Sequence, residues 1–267
     1  MDLEIIGYIL AILIGLSTGL IGAGGSILAI PILVYFLGIE ASVTAPAYSL
    51  FVVGFASLVG IILKSRKQEV NYKLAFFFGV PTVISIYLTR KYLIPFIPEN
   101  LFSYADFEMT KRILIMGLFS IIMMLVAYTM IKGREEAMDI ELNKKNHVLN
   151  FFGGIGIGSL SGLVGAGGGF IIIPALIRLG NLKMRAAIGT SLAIIFINSV
   201  FGFAGSMGTI EIDWSVLWPF TILAVGGIFI GNWLSTKIDG KQLKKSFGWF
   251  VLIMGVLIFI KELIFNL

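Results

Sequence analysis

A short run of glycines, Gly22-Ala23-Gly24-Gly25, recurs as Gly165-Ala166-Gly167-Gly168-Gly169, each run followed by a proline, Pro31 and Pro174. Both lie between apolar stretches, so neither reads as a surface loop. Glycine lets a chain turn through backbone conformations that other residues resist. A helix that restarts after such a turn points its first unpaired N–H groups, and a partial positive charge, at whatever lies in front of it. The chemistry this implies is anion binding by backbone amides. The candidate positions are Gly24, Gly25, Ser26 and Ile27 in the first run and Gly167, Gly168, Gly169 and Phe170 in the second. Neutral donors on the following segments, Ser49, Thr190, Ser191 and Asn198, complete the candidate substrate site. The competing reading for the hydroxyls is a bond to their own helix backbone. Pro31 is best tolerated in a first helical turn, which predicts a restart between Ser26 and Ile30, with the second restart near Gly169 to Ile173.

Other chemistries are poorly supplied. The 267 residues contain no cysteine and one histidine, His147, which sits in a polar stretch, so no metal site or cofactor is expected. No paired carboxylates or nucleophile constellation supports an enzyme. No Gly-Lys-Ser/Thr follows either glycine run, which excludes a phosphate loop of the nucleotide-binding kind. The net charge of +5 is scattered through short loops with no basic stripe, so no nucleic-acid partner is expected.

The elements that carry these residues are hydrophobic helices. The chain is 58% hydrophobic with a mean hydropathy of +0.99, and its 13% charged residues are half the share of about 25% usual in soluble domains. Apolar segments cover roughly 5–37, 41–63, 74–89, 113–131, 148–177, 186–204, 214–236 and 246–265. Apart from Lys261 and Glu262, every charged residue falls outside them as drawn, so the spans offer no arginine or lysine to hold an anion. The start Met1-Asp2-Leu3-Glu4 is acidic where a signal peptide is basic, and the first apolar run reads as part of the working protein.

The chain also repeats itself. Between 15–33 and 158–176, ten of nineteen positions are identical at an offset of 143. At an offset of 142, Ala45, Ser49, Leu50, Ser57 and Gly60 match Ala187, Ser191, Leu192, Ser199 and Gly202. The expected organisation is a first membrane repeat over 1–131, a cytoplasmic linker over 132–147 and a second repeat over 148–267. If all eight segments simply cross, the cations divide nine against eleven between the two sides, which selects no orientation. If 5–37 and 148–177 instead enter, turn at the glycines and leave by the same side, the division is fifteen inside against five outside. Three crossings per half make the halves antiparallel. The expected fold is therefore an all-α integral membrane protein of two inverted repeats, each a glycine-broken, re-entrant helix pair plus three transmembrane helices.

The two motifs Gly19-Leu20-Ile21-Gly22-Ala23-Gly24-Gly25-Ser26 with Pro31 and Gly162-Leu163-Val164-Gly165-Ala166-Gly167-Gly168-Gly169 with Pro174 resemble those of the TauE/SafE family, as does Ala187-Ile188-Gly189-Thr190-Ser191 through Asn198-Ser199. The resemblance covers essentially the whole chain. It implies a multi-pass permease of the cell (inner) membrane for small sulfur-containing anions such as sulfite, sulfoacetate or related organosulfonates, working as an exporter. An anion channel on the same scaffold, or a carrier of a small carboxylate, fits the residues as well. A coupling ion, H+ or Na+, is open, although the missing intramembrane carboxylates speak against a simple proton relay.

Overall fold

A computed structural model describes residues 2–22, 24–104, 107–132, 147–165, 167–178, 180, 182–235, 237 and 240–263. The linker expected over 132–147 falls outside these residues except for its two ends, and so do Ala23 and Ala166 of the glycine motifs. The described chain is helical apart from one hairpin. In order come α1 (Asp2–Ile21), α2 (Gly24–Tyr35), α3 (Thr44–Ser65), α4 (Tyr72–Leu88), a π turn (Thr89–Leu93), the short α5 (Ile94–Phe96), β1 (Asn100–Tyr104) and β2 (Phe107–Thr110). Then follow α6 (Lys111–Ile131), α7 (His147–Val164), α8 (Gly169–Arg178), α9 (Met184–Ser206), α10 (Trp214–Leu234) and α11 (Gly240–Leu263).

The distribution of side chains is that of a membrane protein. Phe76 and Ile222 are 69% and 64% exposed, while Ser49, Ser57, Thr82, Ser120, Thr190, Ser191, Asn198 and Ser199 are buried. Water would penalise that arrangement, whereas a hydrocarbon solvent accepts it, because lipid tails are as apolar as leucine. Among the described residues, six helices are long and apolar enough to cross a bilayer: Leu3–Ile21, Thr44–Ser65, Tyr72–Phe96, Lys111–Tyr128, Arg185–Ser206 and Trp214–Leu234. The 22 residues of α3 rise about 33 Å, close to the hydrocarbon thickness. The protein is a multi-pass membrane protein.

Several contacts pair positions that match at the sequence offset of 142. A Cβ placed on Gly60 would lie 3.0 Å from Leu192 Cδ1, and one on Gly202 2.9 Å from Leu50 Cδ1. Residues 50 and 60 correspond to 192 and 202 at the offset of 142, so each contact is the other with the halves exchanged. Helix α1 packs on α10 with Gly15 against the Ala224 carbonyl, and α7 packs on α4 with Gly158 against the Thr82 carbonyl, again equivalent pairs. The caps repeat as well. Asn71 opens α4 and Asp213 opens α10, each accepting from an amide of its first turn, Leu74 at 3.0 Å and Ser215 at 2.9 Å. The Asn71 amide donates across the halves to Thr190 Oγ1 at 2.9 Å, and the Asp213 amide donates to the Tyr48 hydroxyl at the equivalent place. In the centre, residues 50, 54 and 60 of α3 meet 202, 199 and 192 of α9, so these two helices run in opposite directions.

Three features differ from the sequence reading. First, α2 restarts at Gly24, earlier than the Ser26–Ile30 window, and Pro31 lies eighth in the helix, outside its first turn. Among the described residues of this turn Gly22 is left-handed, at φ +81°, and helix resumes by Gly24. The second half spends more residues on its turn, with Gly165, Gly167 and Gly168 all left-handed, and α8 begins at Gly169 within the expected window. Second, the segment drawn as 74–89 continues past Arg90 and Lys91. The Ile94 amide bonds the Thr89 carbonyl, a π turn, and helix persists to Phe96. Third, the chain after Pro98 forms the antiparallel hairpin, pairing Asn100 with Thr110 and Ser103 with Glu108.

The start of α3 carries a testable cap. Glu40 accepts from the Ser42 amide and hydroxyl through one oxygen and from the Val43 and Thr44 amides, at 3.0 and 3.1 Å, through the other. Partial burial opposes ionisation, but the hydrogen bonds from Ser42, Thr44 and Val43 outweigh it and hold the carboxyl below its ordinary value of 4.5. A depressed value in the folded state means that the stabilisation is complete above pH 4.5 and is lost as the pH falls through the lowered value. Glu40→Ala is therefore expected to cost about 1 kcal/mol at neutral pH. The melting difference from wild type should shrink well below pH 4.5; an unchanged difference there would remove the carboxylate cap.

Candidate functional site

The two glycine breaks are buried and lie against the other half. A Cβ on Gly22 would meet Ile188 Cγ2 at 2.6 Å, and one on Gly165 would meet Pro46 Cβ at 2.2 Å; residues 46 and 188 are equivalent. Each break is hydrogen-bonded to the helix it ends, Gly22 N–H to Thr18 O and Gly165 N–H to Ser161 O, both at 2.8 Å. In the first half the helix after the break, α2, packs back on α1. Gly25 faces Thr18 Oγ1 and the Ile14 carbonyl, and Gly168 faces Ser161 Oγ. These approaches are closed to any larger residue.

The start of α8 occupies a special position. Gly167 lies between Ile195 and Val53, with Ser199 Oγ at 3.4 Å from its notional Cβ. Val53 and Ile195 are equivalent residues of α3 and α9, so the amides that open α8 sit where the two halves exchange. Ser199 Oγ beside Gly167 and Ser161 Oγ beside Gly168 are buried without a hydrogen-bond partner, as are Asn198 Nδ2 elsewhere on α9 and Ser49 Oγ and Ser57 Oγ on α3. Thr82 Oγ1 lies 3.0 Å from Asn198 Oδ1 and 2.8 Å from the Gly79 carbonyl. Its single proton serves one of them, and whichever way the Asn198 amide is turned, one end faces Thr82 and the other is left open. Buried polar atoms are normally paired, and a cluster of open donors at a helix start is what an oxyanion requires.

The expected residues separate into groups. Gly167 and Gly168 line the α8 start, with Asn198 on the adjoining α9, and Gly169 and Phe170 are the first two residues of α8. Ser49 is buried with an open hydroxyl. Gly24 opens α2, and Gly25, Ser26 and Ile27 are buried in its first turn. Thr190 instead accepts from Asn71, and Ser191 bonds its own Ile188 carbonyl at 2.8 Å. Sequence reasoning passed over Ser161, Ser199 and Arg90. Ser199 could have been found from its repeat match with Ser57, and Ser161 from its alignment with Thr18. Arg90 could have been found from the apolar Tyr92-Leu93-Ile94-Pro95-Phe96 that follows it.

The model of the sulfite exporter TauE/SafE family matches residues 8–258. The chain belongs to the TauE/SafE family. Its relatives agree: a probable membrane transporter protein of Xylella fastidiosa is 27% identical over 252 residues, covering 91% of this chain and 90% of its own. A probable membrane transporter protein of Methanocaldococcus jannaschii is 27% identical, covering 90% and 86%. YunE of Bacillus subtilis, also a probable membrane transporter protein, is 26% identical, covering 94% and 95%. No solved structure matches. This TauE/SafE protein is thus a membrane transporter.

One expectation about that site is overturned. The spans of this TauE/SafE protein do contain cations. Lys64, at the end of α3, is buried and paired with Glu69 at 3.1 Å. Arg112, at the start of α6, holds Glu262 of α11. Arg90 lies inside the Tyr72–Phe96 span and is 1% exposed. In sequence the apolar run ends at the first charged residue, but the helix continues through a charge that turns inward.

Proposed function

We propose that the protein is a secondary carrier that exports a small sulfur oxyanion, sulfite or an organosulfonate such as sulfoacetate, across the cell (inner) membrane by alternating access. The observation that carries this reading is the approach to α8, where Gly167 lies between Ile195 and Val53 beside Ser199 Oγ and Gly168 faces Ser161 Oγ, both hydroxyls buried without a partner. Backbone amides and neutral donors suit a delocalised oxyanion, and the family description supplies the sulfur chemistry. The repeats 1–131 and 148–267 lie inverted in the bilayer in this reading, with the broken pairs α1–α2 and α7–α8 re-entrant. The opposed run of α3 and α9 and the exchanged contacts support that arrangement. Inversion gives the mechanism its economy: a contact open in one half and closed in its equivalent converts an outward-facing site to an inward-facing one.

The test is charge movement by purified protein in liposomes on a solid-supported membrane, challenged with sulfite, sulfoacetate, isethionate, thiosulfate, sulfate and acetate, with and without gradients of H+ and Na+. A saturable signal confined to sulfur oxyanions is expected. A signal for acetate alone would replace the substrate class, and a non-saturating current would replace the carrier by a channel. In Ser199→Ala the half-saturating concentration should rise about tenfold, the value of one hydrogen bond to a charged group, with the maximal signal little changed.

A further inference from the structure

We propose that Arg90 is an anion-binding residue, the fixed cation that draws a small oxyanion to the second glycine break. The proposal rests on the carrier reading above and adds to it a charged group on one side of the site. Arg90 is fully buried, yet its Nε and Nη1 have no hydrogen-bond partner, and Nη2 reaches only the Val43 carbonyl at 3.4 Å. Among the described residues no carboxylate lies within ion-pair distance of it. Glu40 acts on it electrostatically, but that carboxylate is already engaged by Ser42, Val43 and Thr44. A buried guanidinium left this open is costly to the fold, and five donors in a fixed fork match an oxyanion closely.

Its surroundings place it at the break. The Arg90 Cβ lies against Gly205 of α9, and the adjacent Thr89 packs on Gly162 of α7, one turn before Gly165. The carbonyl that Arg90 touches, Val43, is three residues from Pro46, on which Gly165 rests. The guanidinium and the turn between α7 and α8 therefore border the same first turn of α3. Arg90 also stands in the π turn, an irregularity frequent at functional sites. In the other half the equivalent residue is Asn232, whose Oδ1 is likewise buried and unpartnered but uncharged. The cation is thus present at one end of the exchanged pair only, and the anion is held more tightly on that side.

The experiment compares wild type, Arg90→Gln and Arg90→Lys by two readouts: the rise in melting temperature of detergent-purified protein on adding sulfite or sulfoacetate, and charge movement in liposomes. Arg90→Gln should weaken the apparent affinity by about thirtyfold or more, while melting no lower than wild type without anion, because an unpaired buried charge has gone. Arg90→Lys should lose about threefold to tenfold, having the charge without the fork. An Arg90→Gln protein with unchanged affinity overturns the proposal and leaves the carrier reading standing. Anion-dependent stabilisation lost in Arg90→Gln, with no flux even in wild type, keeps the binding residue and overturns transport of these anions. Wild-type protein silent in both readouts overturns both. If Arg90→Gln does not fold, Arg90→Lys decides: reduced affinity in a folded protein supports the proposal, and unchanged affinity ends it.

Discussion

Replacing Gly165 by alanine is expected to remove most of the folded protein from the membrane. Two costs fall on the same atom. Gly165 sits at φ +75°, a left-handed conformation that costs a residue with a side chain about 1–2 kcal/mol. Its new Cβ would also stand 2.2 Å from Pro46 Cβ, 2.4 Å from Pro46 Cα and 2.7 Å from the Pro46 carbonyl oxygen. Those atoms are backbone or ring atoms in the first turn of α3 and cannot move aside as a flexible side chain would. Overpacking of this kind costs about 1–3 kcal/mol, so the sum is roughly 2–5 kcal/mol, a large part of the 5–15 kcal/mol that a typical fold has in hand. The control is Gly156→Ala on the same helix, where a Cβ meets nothing within 4 Å; it should be neutral or stabilise by up to about 1 kcal/mol. Gly22→Ala should fall between them, because its nearest obstacle is the Ile188 side chain. Yield of monodisperse protein and its melting temperature measure all three. A Gly165→Ala protein melting within a degree or two of wild type would mean that the tight turn is not required.

The glycine turns and most helices were legible because they depend on local signals. Glycine clusters, apolar runs and a constant offset need no partner to be read. The first restart departs from the proline rule, which ties the helix start to Pro31, because α2 already begins at Gly24, close behind the left-handed Gly22. Arg90 was invisible for a different reason. Counting charges as span boundaries works when the charge meets water, and it fails where a guanidinium is turned into the protein by a π turn. Thr190 shows the limit of repeat logic. Its counterpart at the offset of 142 is Tyr48, a different side chain with its hydroxyl farther from the backbone, yet both accept an amide from the cap of the opposite half. Identity in the alignment would never have paired them. Their roles are set by contacts between residues 119 and 165 positions apart, which only the folded chain brings together.

The largest electrostatic effect should come from Arg112. Glu262 of α11 is 0% exposed in its side chain and accepts from Arg112 Nε at 2.9 Å and Nη2 at 2.8 Å, with the Tyr35 hydroxyl of α2 donating at 3.0 Å. The two partners are not equally replaceable. Arg112 is 46% exposed, so without Glu262 it can recover solvation at the protein surface. Glu262 has no such recourse to solvent, and removing Arg112 leaves a buried carboxylate without that opposite charge. Arg112→Ala is therefore expected to cost about 3–5 kcal/mol, the usual penalty for breaking a buried pair from one side, and Glu262→Gln only about 1–2 kcal/mol. The decisive variant is the double one. If the cost of Arg112→Ala is the stranded charge, adding Glu262→Gln removes that charge and should restore roughly 1–2 kcal/mol. If the double variant melts below Arg112→Ala, the cost belongs instead to lost packing of the arginine stem against α11. The ion pair would then be incidental to the way α2, α6 and α11 are held together.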